Sequence, residues 1–95
     1  MATIGVLTLE LRLEESHSLK DKRHVVKGLK DRLRHKFNVA VAEIDYQDLW
    51  QRSVIAAVTV SGDHARAESV LQLVEQDAAG MLGAMLVSAT VEWLE

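Results

Sequence analysis

The first part of the chain carries an alternating pattern that predicts a β-strand. Four leucines occupy every second position with polar residues between them: Leu7, Leu9, Leu11 and Leu13 alternate with Thr8, Glu10 and Arg12. Successive side chains of a strand point to opposite faces, so this period of two places the leucines on one face. We therefore expect the strand to pack against a core on one side only.

A helix from Leu19 to about Lys36 is predicted next. Ser18 is the expected N-cap, because its hydroxyl can accept a hydrogen bond from the amide of Asp21, whose carboxylate can return one to the cap. The apolar positions recur at spacings of seven, three, four and four residues: Leu19, Val26, Leu29, Leu33 and Phe37. These spacings form one stripe, which we expect to face the sheet.

Apolar and β-branched residues then predict two strands, over Asn38 to Asp45 and over Ser53 to Ser61. In the second of these, alternate positions share a face: Val54, Ala56, Val58 and Val60. The two strands should pair antiparallel. The connection from Tyr46 to Arg52 contains neither Asn-Gly nor Asp-Gly, so we expect a loop longer than a two-residue turn.

The remaining sequence predicts a second helix and a closing strand. Ser61-Gly62-Asp63 precedes apolar positions at helical spacing: Ala67, Val70, Leu71, Val74 and Ala78. Farther on, apolar and polar residues alternate again: Val87, Ala89, Val91 and Trp93 with Ser88, Thr90 and Glu92. Residues 79–86, which include the glycine-punctuated segment Gly80 to Met85, match neither pattern and are left unassigned.

The order strand, helix, strand, strand, helix, strand predicts a ferredoxin-like α+β fold. Right-handed crossovers put both helices on one face of a four-stranded antiparallel sheet. The other face is then left open. We expect that open face to carry six residues: Thr8, Glu10, Arg12, Ile55, Ala57 and Thr59.

Length and composition narrow the class of protein. A chain of 95 residues is expected to form one domain, 1–95, whose thin core leaves no room for an enclosed cofactor cavity, so no cofactor is expected. The absence of cysteine excludes disulfides, thiolate metal sites and cysteine nucleophiles. The N-terminal segment has neither a basic start nor an unbroken apolar run, so we expect a cytoplasmic protein without a membrane span.

The net charge of -3 conceals a strong asymmetry along the chain. Eight of the eleven lysines and arginines lie between His17 and Lys36, where Asp21 and Asp31 are the only acidic residues. The rest of the chain is acidic. One basic element on an acidic body can present a local positive field to a polyanion.

Five of these basic residues form an outer row on the predicted helix: Lys20, Arg23, Lys27, Lys30 and Arg34. At 100° per residue they fall within an arc of about 80° that contains no acidic residue. Such a row can follow a phosphate backbone, with counterion release supplying the affinity. The alternative is an ordinary solvated helix face, and the sequence leaves both open.

The predicted first and third strands hold no Phe, Tyr or Trp, so we do not expect bases to stack on the sheet as in RNA-recognition motifs. Any contact with RNA would depend on charge and shape, as in docking on a structured ribosomal surface.

Acidic and aromatic residues crowd the second hairpin and form a candidate interaction loop: Asp45, Tyr46, Asp48, Trp50 and Arg52. Together with Glu43, the carboxylates could hold a divalent cation, but the spacing resembles no calcium loop, so no metal site is predicted. Loop capping or an acidic complement to a basic partner are the alternatives. We expect Trp50 either to fold back onto the sheet or to anchor a partner.

No catalytic residue and no enzyme activity are predicted. A His-Asp pair without a positioned nucleophile is not a triad, and Ser16 and Ser18 are better explained as capping residues. Acylphosphatases share this fold class, but Glu14-Glu15-Ser16-His17 stands where they have a glycine-rich phosphate cradle.

Three segments carry a resemblance to a known family: Ser18-Leu19-Lys20-Asp21-Lys22-Arg23, Phe37 to Glu43, and Asp45 to Arg52. The chain resembles the YlxP-like family over essentially its whole length, most strongly from Leu7 to Val60. The resemblance implies a ferredoxin-like fold and a cytoplasmic bacterial protein without an established enzyme activity. It also implies a gene often located beside those of translation initiation factor 2 and ribosome-binding factor A. Met81 to Met85 departs from the family pattern, because it is apolar where a charged segment is expected.

Two functional hypotheses result. In the first, the protein binds ribosomal RNA or the ribosome through the outer row. In the second, it is a homo-oligomeric interaction module, a homodimer for example, whose open sheet face buries Ile55, Ala57 and Thr59 between subunits without binding nucleic acid.

Overall fold

The leucine strand at the start of the chain is one of the two central strands of the sheet. A computed structural model describes residues 1–94. Its strands are β1 (Thr3–Arg12), β2 (Ala40–Asp45), β3 (Arg52–Ser61) and β4 (Leu86–Leu94), and its helices are α1 (Leu19–Lys36) and α2 (His64–Leu82). The sheet order is β2-β3-β1-β4, with every neighbouring pair antiparallel. The predicted ferredoxin-like fold is therefore confirmed.

The core lies between the two helices and one face of this sheet. Leu7, Leu9 and Leu11 of β1 are completely buried, as the alternating pattern predicts. They pack with the helix stripes: Val26, Leu29 and Leu33 from α1, and Leu71, Val74, Ala78 and Leu82 from α2. The helix spacings thus identified the buried faces correctly.

The predicted residues of the open face are confirmed for β1, but the prediction for β3 is wrong. Thr8, Glu10 and Arg12 do lie on the open side. Ile55, Ala57 and Thr59 instead face the helices and are almost fully buried, because Ile55 pairs with Leu9 and Ala57 with Leu7. Directly opposed residues of an antiparallel pair point to the same face, so the leucines of β1 determine which side of β3 is inside.

The open face is consequently more apolar than the sequence suggested. Its outward residues include Ile4 and Val6 of β1, and Leu94 of β4. Those of β3 and β2 are Val54, Ala56, Val58 and Val60 with Ala40 and Ala42. The Val60 side chain is 58% exposed, so this apolar surface is open to solvent.

At the start of α1, one of the two predicted capping hydrogen bonds is present. Ser18 has extended backbone angles, and its hydroxyl accepts from the amide of Asp21 at 3.1 Å. The carboxylate of Asp21 accepts from the amide of His17 at 3.0 Å. The returned bond was expected at the N-cap, but it is made one residue earlier.

The unassigned segment completes α2 and turns the chain into β4. Helix α2 continues to Leu82, and a short 3-10 turn spans Gly83–Met85. Gly83 has a φ of 56°, a conformation that costs glycine little and other residues more. Gly5 is required for a different reason, because a Cβ there would lie 2.6 Å from Cζ3 of Trp93. The Trp93 ring covers Gly5 where β4 joins β1.

Candidate functional site

The cations of α1 divide into groups with different surroundings. On the side facing α2, Arg32 and Lys36 both bind the carboxylate of Asp77, at 2.6 Å and 2.7 Å. The hydrogen bonds from Arg32 and then Lys36 lower the pKa of Asp77 from its ordinary 3.8 to about 2. These two cations fasten one helix to the other, and Asp77 offsets one of their two charges.

One lysine of α1 is buried in the core, which the sequence reading did not predict. Lys22 is only 1% exposed, and its ammonium lies 3.0 Å from the carboxylate of Glu43 on β2. Glu43 also accepts from the hydroxyl of Ser53 at 2.6 Å. The same ammonium donates to the backbone carbonyl of Tyr46. The buried pair therefore joins α1 to β2, β3 and the loop between them.

Four residues of the outer row are exposed and Lys30 is partly buried, and one carboxylate reaches the row. Asp31 lies 2.6 Å from the ammonium of Lys27 and 3.8 Å from the guanidinium of Arg34. The hydrogen bond from Lys27 is the main cause of a lowered pKa at Asp31. Among residues 1–94, no carboxylate forms an ion pair with Lys20, Arg23 or Lys30. Three cations of the row thus form no ion pair within this range, and two share one acid.

No acidic residue lies within the arc of the outer row, yet Asp31 forms ion pairs with two of its cations. Asp31 lies about 20° beyond the edge of the arc by helical spacing, four residues after Lys27. Side chains four residues apart on a helix are neighbours and form ion pairs. Its position in the sequence was the available signal for this contact.

A groove runs between the outer row and the edge strand β2. It measures about 450 Å³ and is lined by Arg23, Val26, Lys27, Lys30, Asp31, Arg34 and Glu43. Arg34 also donates to the backbone carbonyl of Val41 at 2.9 Å. The groove therefore brings four cations of the outer row together along one wall.

The loop between β2 and β3, residues 46–51, is held firmly at both ends. Tyr46 has a φ of 60°, which is uncommon for a residue other than glycine, and its amide donates to the Asp45 carboxylate at 2.8 Å. At the other end, the side-chain amide of Gln51 donates to the carbonyls of Glu14 and Ser16, each at 3.2 Å. We call this segment the aromatic loop.

The exposed part of the aromatic loop includes two large apolar side chains. Trp50 is 52% exposed and Leu49 is 47% exposed, so both leave about half of their surface in solvent. Together with His17, Asp48, Gln51 and Arg52, these two residues line a cleft of about 570 Å³. Arg52 binds Glu10 at 3.0 Å and lies over the Tyr46 ring at 4.2 Å. The five residues of the predicted interaction loop thus have different roles, and three of them, Asp48, Trp50 and Arg52, line the cleft.

The carboxylates of the second hairpin do not converge. Glu43 binds Lys22, Asp45 caps the Tyr46 amide, and Asp48 lines the cleft. Within the described part of the chain, no group of three or more metal-binding side chains comes together.

The predicted site did not include Leu49, Gln51 or the Lys22–Glu43 pair. Leu49 adjoins Trp50 in a polar stretch, and that adjacency was the signal for an exposed apolar tip. Gln51 carried no such signal, because its role depends on carbonyls 35 and 37 residues away.

The fold places the chain in the class of ferredoxin-like α+β proteins. A de novo designed protein with a ferredoxin fold matches 99% of this chain and 84% of its own, at 16% identity and a TM-score of 0.50. SnoaB, a cofactor-independent oxygenase from Streptomyces nogalater, matches 100% of this chain and 93% of its own, at 14% identity and a TM-score of 0.54. Identities this low show a shared fold alone.

The sequence comparisons identify the family. Residues 4–91 match the family described as "Protein of unknown function (DUF503)". "Uncharacterized protein YlxP" of Bacillus subtilis (strain 168) is 41% identical over 71 residues, which are 75% of this chain and 77% of that protein. The chain belongs to this family, and the YlxP-like resemblance is confirmed. No helix within residues 1–94 has the length and apolar character needed to cross a membrane.

Proposed function

We propose that this protein binds RNA through the outer row of α1 and docks in this way on a structured ribosomal surface. The observation that carries the proposal is the charge balance of the row, in which two of the five cations pair with Asp31 and the other three form no ion pair with residues 1–94. On the opposite side of the helix, two cations share the carboxylate of Asp77, which leaves one net positive charge there. The outer row, with five cations and one carboxylate, is therefore the side of α1 that offers more charge to an external anion.

The dimensions of the row suit a phosphate backbone. From Lys20 to Arg34 the helix rises about 21 Å, at 1.5 Å per residue. The row borders the groove along β2, so a strand lying there would meet cations on one wall and the sheet edge on the other. Binding of this kind depends on charge and shape, and counterion release supplies its affinity.

The ribosome is the proposed location of this RNA for two reasons. Structured RNA is recognised largely by shape and backbone contacts, which is what a helix without base-reading aromatics can provide. The YlxP-like resemblance also implies genes beside those of translation factors. The acidic remainder of the chain would discourage adhesion to nucleic acid elsewhere on the surface. In this proposal the protein acts in the cytoplasm and has no catalytic role.

The test compares two double variants that remove equal charge from the same helix. Arg23→Gln with Lys30→Gln removes two uncompensated cations, whereas Arg32→Gln with Lys36→Gln removes two that are bound to Asp77. Binding to single-stranded and duplex RNA is measured by fluorescence anisotropy over a range of salt, and binding to ribosomes by co-sedimentation. Circular dichroism confirms that both variants are folded.

We expect the first variant to lose affinity and the second to keep most of it. If five phosphates are neutralised, the slope of log K against log salt is about -3.5 for single strands and about -4.5 for a duplex. The first variant should reduce the magnitude of that slope by about 1.4 for single strands. Equal affinity of both variants and the wild type, or no binding by the wild type, would contradict the proposal.

The open sheet face favours a second candidate function, which is self-association. The four strands lie about 4.8 Å apart and the residues rise about 3.3 Å each, so the face covers roughly 500 Å² per subunit. Two copies packed face to face would bury roughly 1,000 Å² in total, the lower limit for a specific interface. The part of the surface on β3 and β2 is formed by small and β-branched residues, which suits the packing of one sheet on another.

A second copy would bury the outward residues of β3, not Ile55, Ala57 and Thr59, which are already inside the fold. Val58→Lys places a charge in the middle of this face and should convert a dimer to a monomer in sedimentation equilibrium. Gln76→Lys, at an exposed position of α2 on the other side of the sheet, is the matched control. A wild-type protein that is monomeric at high micromolar concentration would exclude this function.

A further inference from the structure

The aromatic loop combines a fixed backbone with an exposed aromatic tip. Four contacts hold it: the carbonyl of Tyr46 accepts from Lys22, the amide of Leu49 donates to the Tyr46 carbonyl at 3.0 Å, and Gln51 makes its two bonds to the segment before α1. Despite these constraints, Trp50 leaves half of its surface in solvent. The loop thus holds Trp50 in place without burying it.

Stability alone does not account for the way this loop is anchored. Replacing a buried ion pair by apolar residues of similar volume is often neutral or stabilising, so such a pair adds little to a small core. Lys22 and Glu43 form a buried pair directly beneath the loop, and the Lys22 ammonium binds the loop backbone at Tyr46. The pair therefore fixes the position of the loop, as binding surfaces that are organised before binding require.

The cleft beside Trp50 combines an aromatic surface with polar groups at its rim. The two N–H donors of the Gln51 amide are occupied, and its side-chain oxygen accepts no hydrogen bond from residues 1–94. The Asp48 carboxylate and the His17 imidazole also line the cleft. Unpaired RNA bases are recognised by stacking on aromatic rings and by hydrogen bonds to their edges. The cleft of about 570 Å³ lies within the range of small-ligand sites.

The cleft lies at the end of α1 where the outer row begins. His17 lines the cleft and precedes Lys20 by three residues, so their Cα atoms are at most about 11 Å apart. At the other wall, Glu43 lines the groove and binds the lysine that holds the aromatic loop. A strand that leaves the cleft would therefore meet the first cations of the row.

We propose that the Trp50 cleft takes an unpaired nucleobase, and that the RNA partner is single-stranded at this point. This inference rests on the proposed RNA binding by the outer row, and it adds a requirement that charge alone does not impose. A duplex can place its phosphates on the outer row but has no unpaired base for the Trp50 cleft. A single strand can place phosphates on the row and a base in the cleft.

The test uses the fluorescence of Trp50 alone. The chain has two tryptophans, so Trp93→Phe leaves Trp50 as the only one. Its melting temperature and circular dichroism establish that the variant is folded. This variant is titrated with hexa-adenylate, with a blunt RNA duplex that has no unpaired bases, and with adenosine monophosphate. Binding is followed in parallel by the anisotropy of labelled RNA.

We expect hexa-adenylate to quench Trp50 with the same midpoint as the anisotropy change, and the duplex to bind without quenching. In a Trp93-containing background, Trp50→Ala should weaken hexa-adenylate binding by about 5- to 150-fold and leave duplex binding unchanged. Trp50→Phe keeps an aromatic ring and should restore most of the affinity. The double variant Arg23→Gln with Lys30→Gln should bind both RNAs more weakly than the wild type does.

Failure of this proposal differs from failure of the proposed function. If hexa-adenylate binds with unchanged Trp50 fluorescence and with equal affinity for Trp50→Ala, the cleft does not take a base, although the outer row still binds RNA. If neither RNA binds, the proposed function is wrong. If adenosine monophosphate quenches Trp50 but hexa-adenylate does not bind, the ligand of the cleft is a free nucleotide and not RNA, and the proposal is wrong.

Discussion

The two sides of α1 carry similar residues but differ in how far carboxylates compensate their charge. On the side toward α2, Arg32 and Lys36 converge on Asp77, whose side chain is only 12% exposed. On the outer side, the Lys27 side chain is 76% exposed, and Lys20, Arg23 and Lys30 have no carboxylate partner among residues 1–94. The inner cations hold the fold together. The outer ones are available to a ligand.

This difference shows why the basic residues of a segment cannot simply be counted. Eight lysines and arginines lie between His17 and Lys36. The structure commits Lys22, Arg32 and Lys36 to carboxylates on other elements. Only the outer row remains, and Asp31 compensates part of it. The charge that a partner meets is therefore well below the formal charge of the segment.

The largest effect is expected at the buried cation. Lys22→Met leaves the Glu43 carboxylate largely buried without its partner, which should lower the free energy of unfolding by about 3 to 5 kcal/mol. Urea unfolding followed by circular dichroism measures the change. Adding Glu43→Gln should recover most of the loss, because Ser53 can still donate to an amide oxygen. Lys30→Met in the outer row is the control and should unfold like the wild type.

The next effect is expected at acidic pH and on the inner side. The pKa of Asp77 is about 2 in the folded state and near its ordinary 3.8 in the unfolded chain. Because the folded value is the lower one, the stabilisation is present above pH 4 and is lost as the pH falls from about 4 to about 2. Melting temperatures between pH 2 and pH 6 should show a flatter acid profile for Asp77→Asn. A profile identical to the wild type would contradict the Asp77 cluster.

A smaller effect should distinguish the two acids that face α1 cations. Asp31→Asn releases Lys27 and Arg34 on the outer side, so RNA affinity at low salt should rise about twofold. Asp77→Asn also removes one negative charge, but it releases cations on the side that the RNA does not contact. Anisotropy titrations should therefore separate the two variants. An equal rise for both would mean that net charge, and not the outer row, determines binding.

The smallest effect is expected for the stability of outer-row variants. Arg23 is exposed and forms no ion pair within residues 1–94, so Arg23→Gln should change the free energy of unfolding by less than about 0.5 kcal/mol. Urea unfolding at neutral pH measures this. A loss above 1 kcal/mol would show that Arg23 supports the fold, and affinity changes in its variants could not then be assigned to RNA contacts.

The elements of the fold were predictable because their patterns are local. The leucine alternation of β1 and the Ser18 cap of α1 depend on residues within a few positions of one another. The inward face of β3 was not predictable in the same way. Val54, Ile55, Ala56, Ala57 and Val58 are apolar in succession, so the period of two does not choose a side. The choice comes from pairing with Leu7 and Leu9, more than 45 residues earlier in the chain.

The buried pair left two traces in the sequence that pattern reading can use. The apolar stripe of α1 has a gap of seven residues between Leu19 and Val26, and Lys22 fills the core position inside it. On β2, Glu43 follows Val41 at the inward period. Opposite charges that interrupt two core stripes predict a buried pair, because an unpaired charge there would be prohibitive. The cleft at Trp50 left no comparable trace, because loop geometry depends on distant carbonyls.

Arg34 contributes both to the solubility of the protein and to its recognition of anions. Its guanidinium belongs to the outer row and also lies on the backbone of β2, an outermost strand of the sheet. Exposed strand edges invite pairing with foreign strands, and a charged side chain across the edge obstructs such pairing. Loss of Arg34 would therefore unmask a template for aggregation together with any loss of anion affinity. A polyanion that drew this arginine away would have to shield the same edge itself.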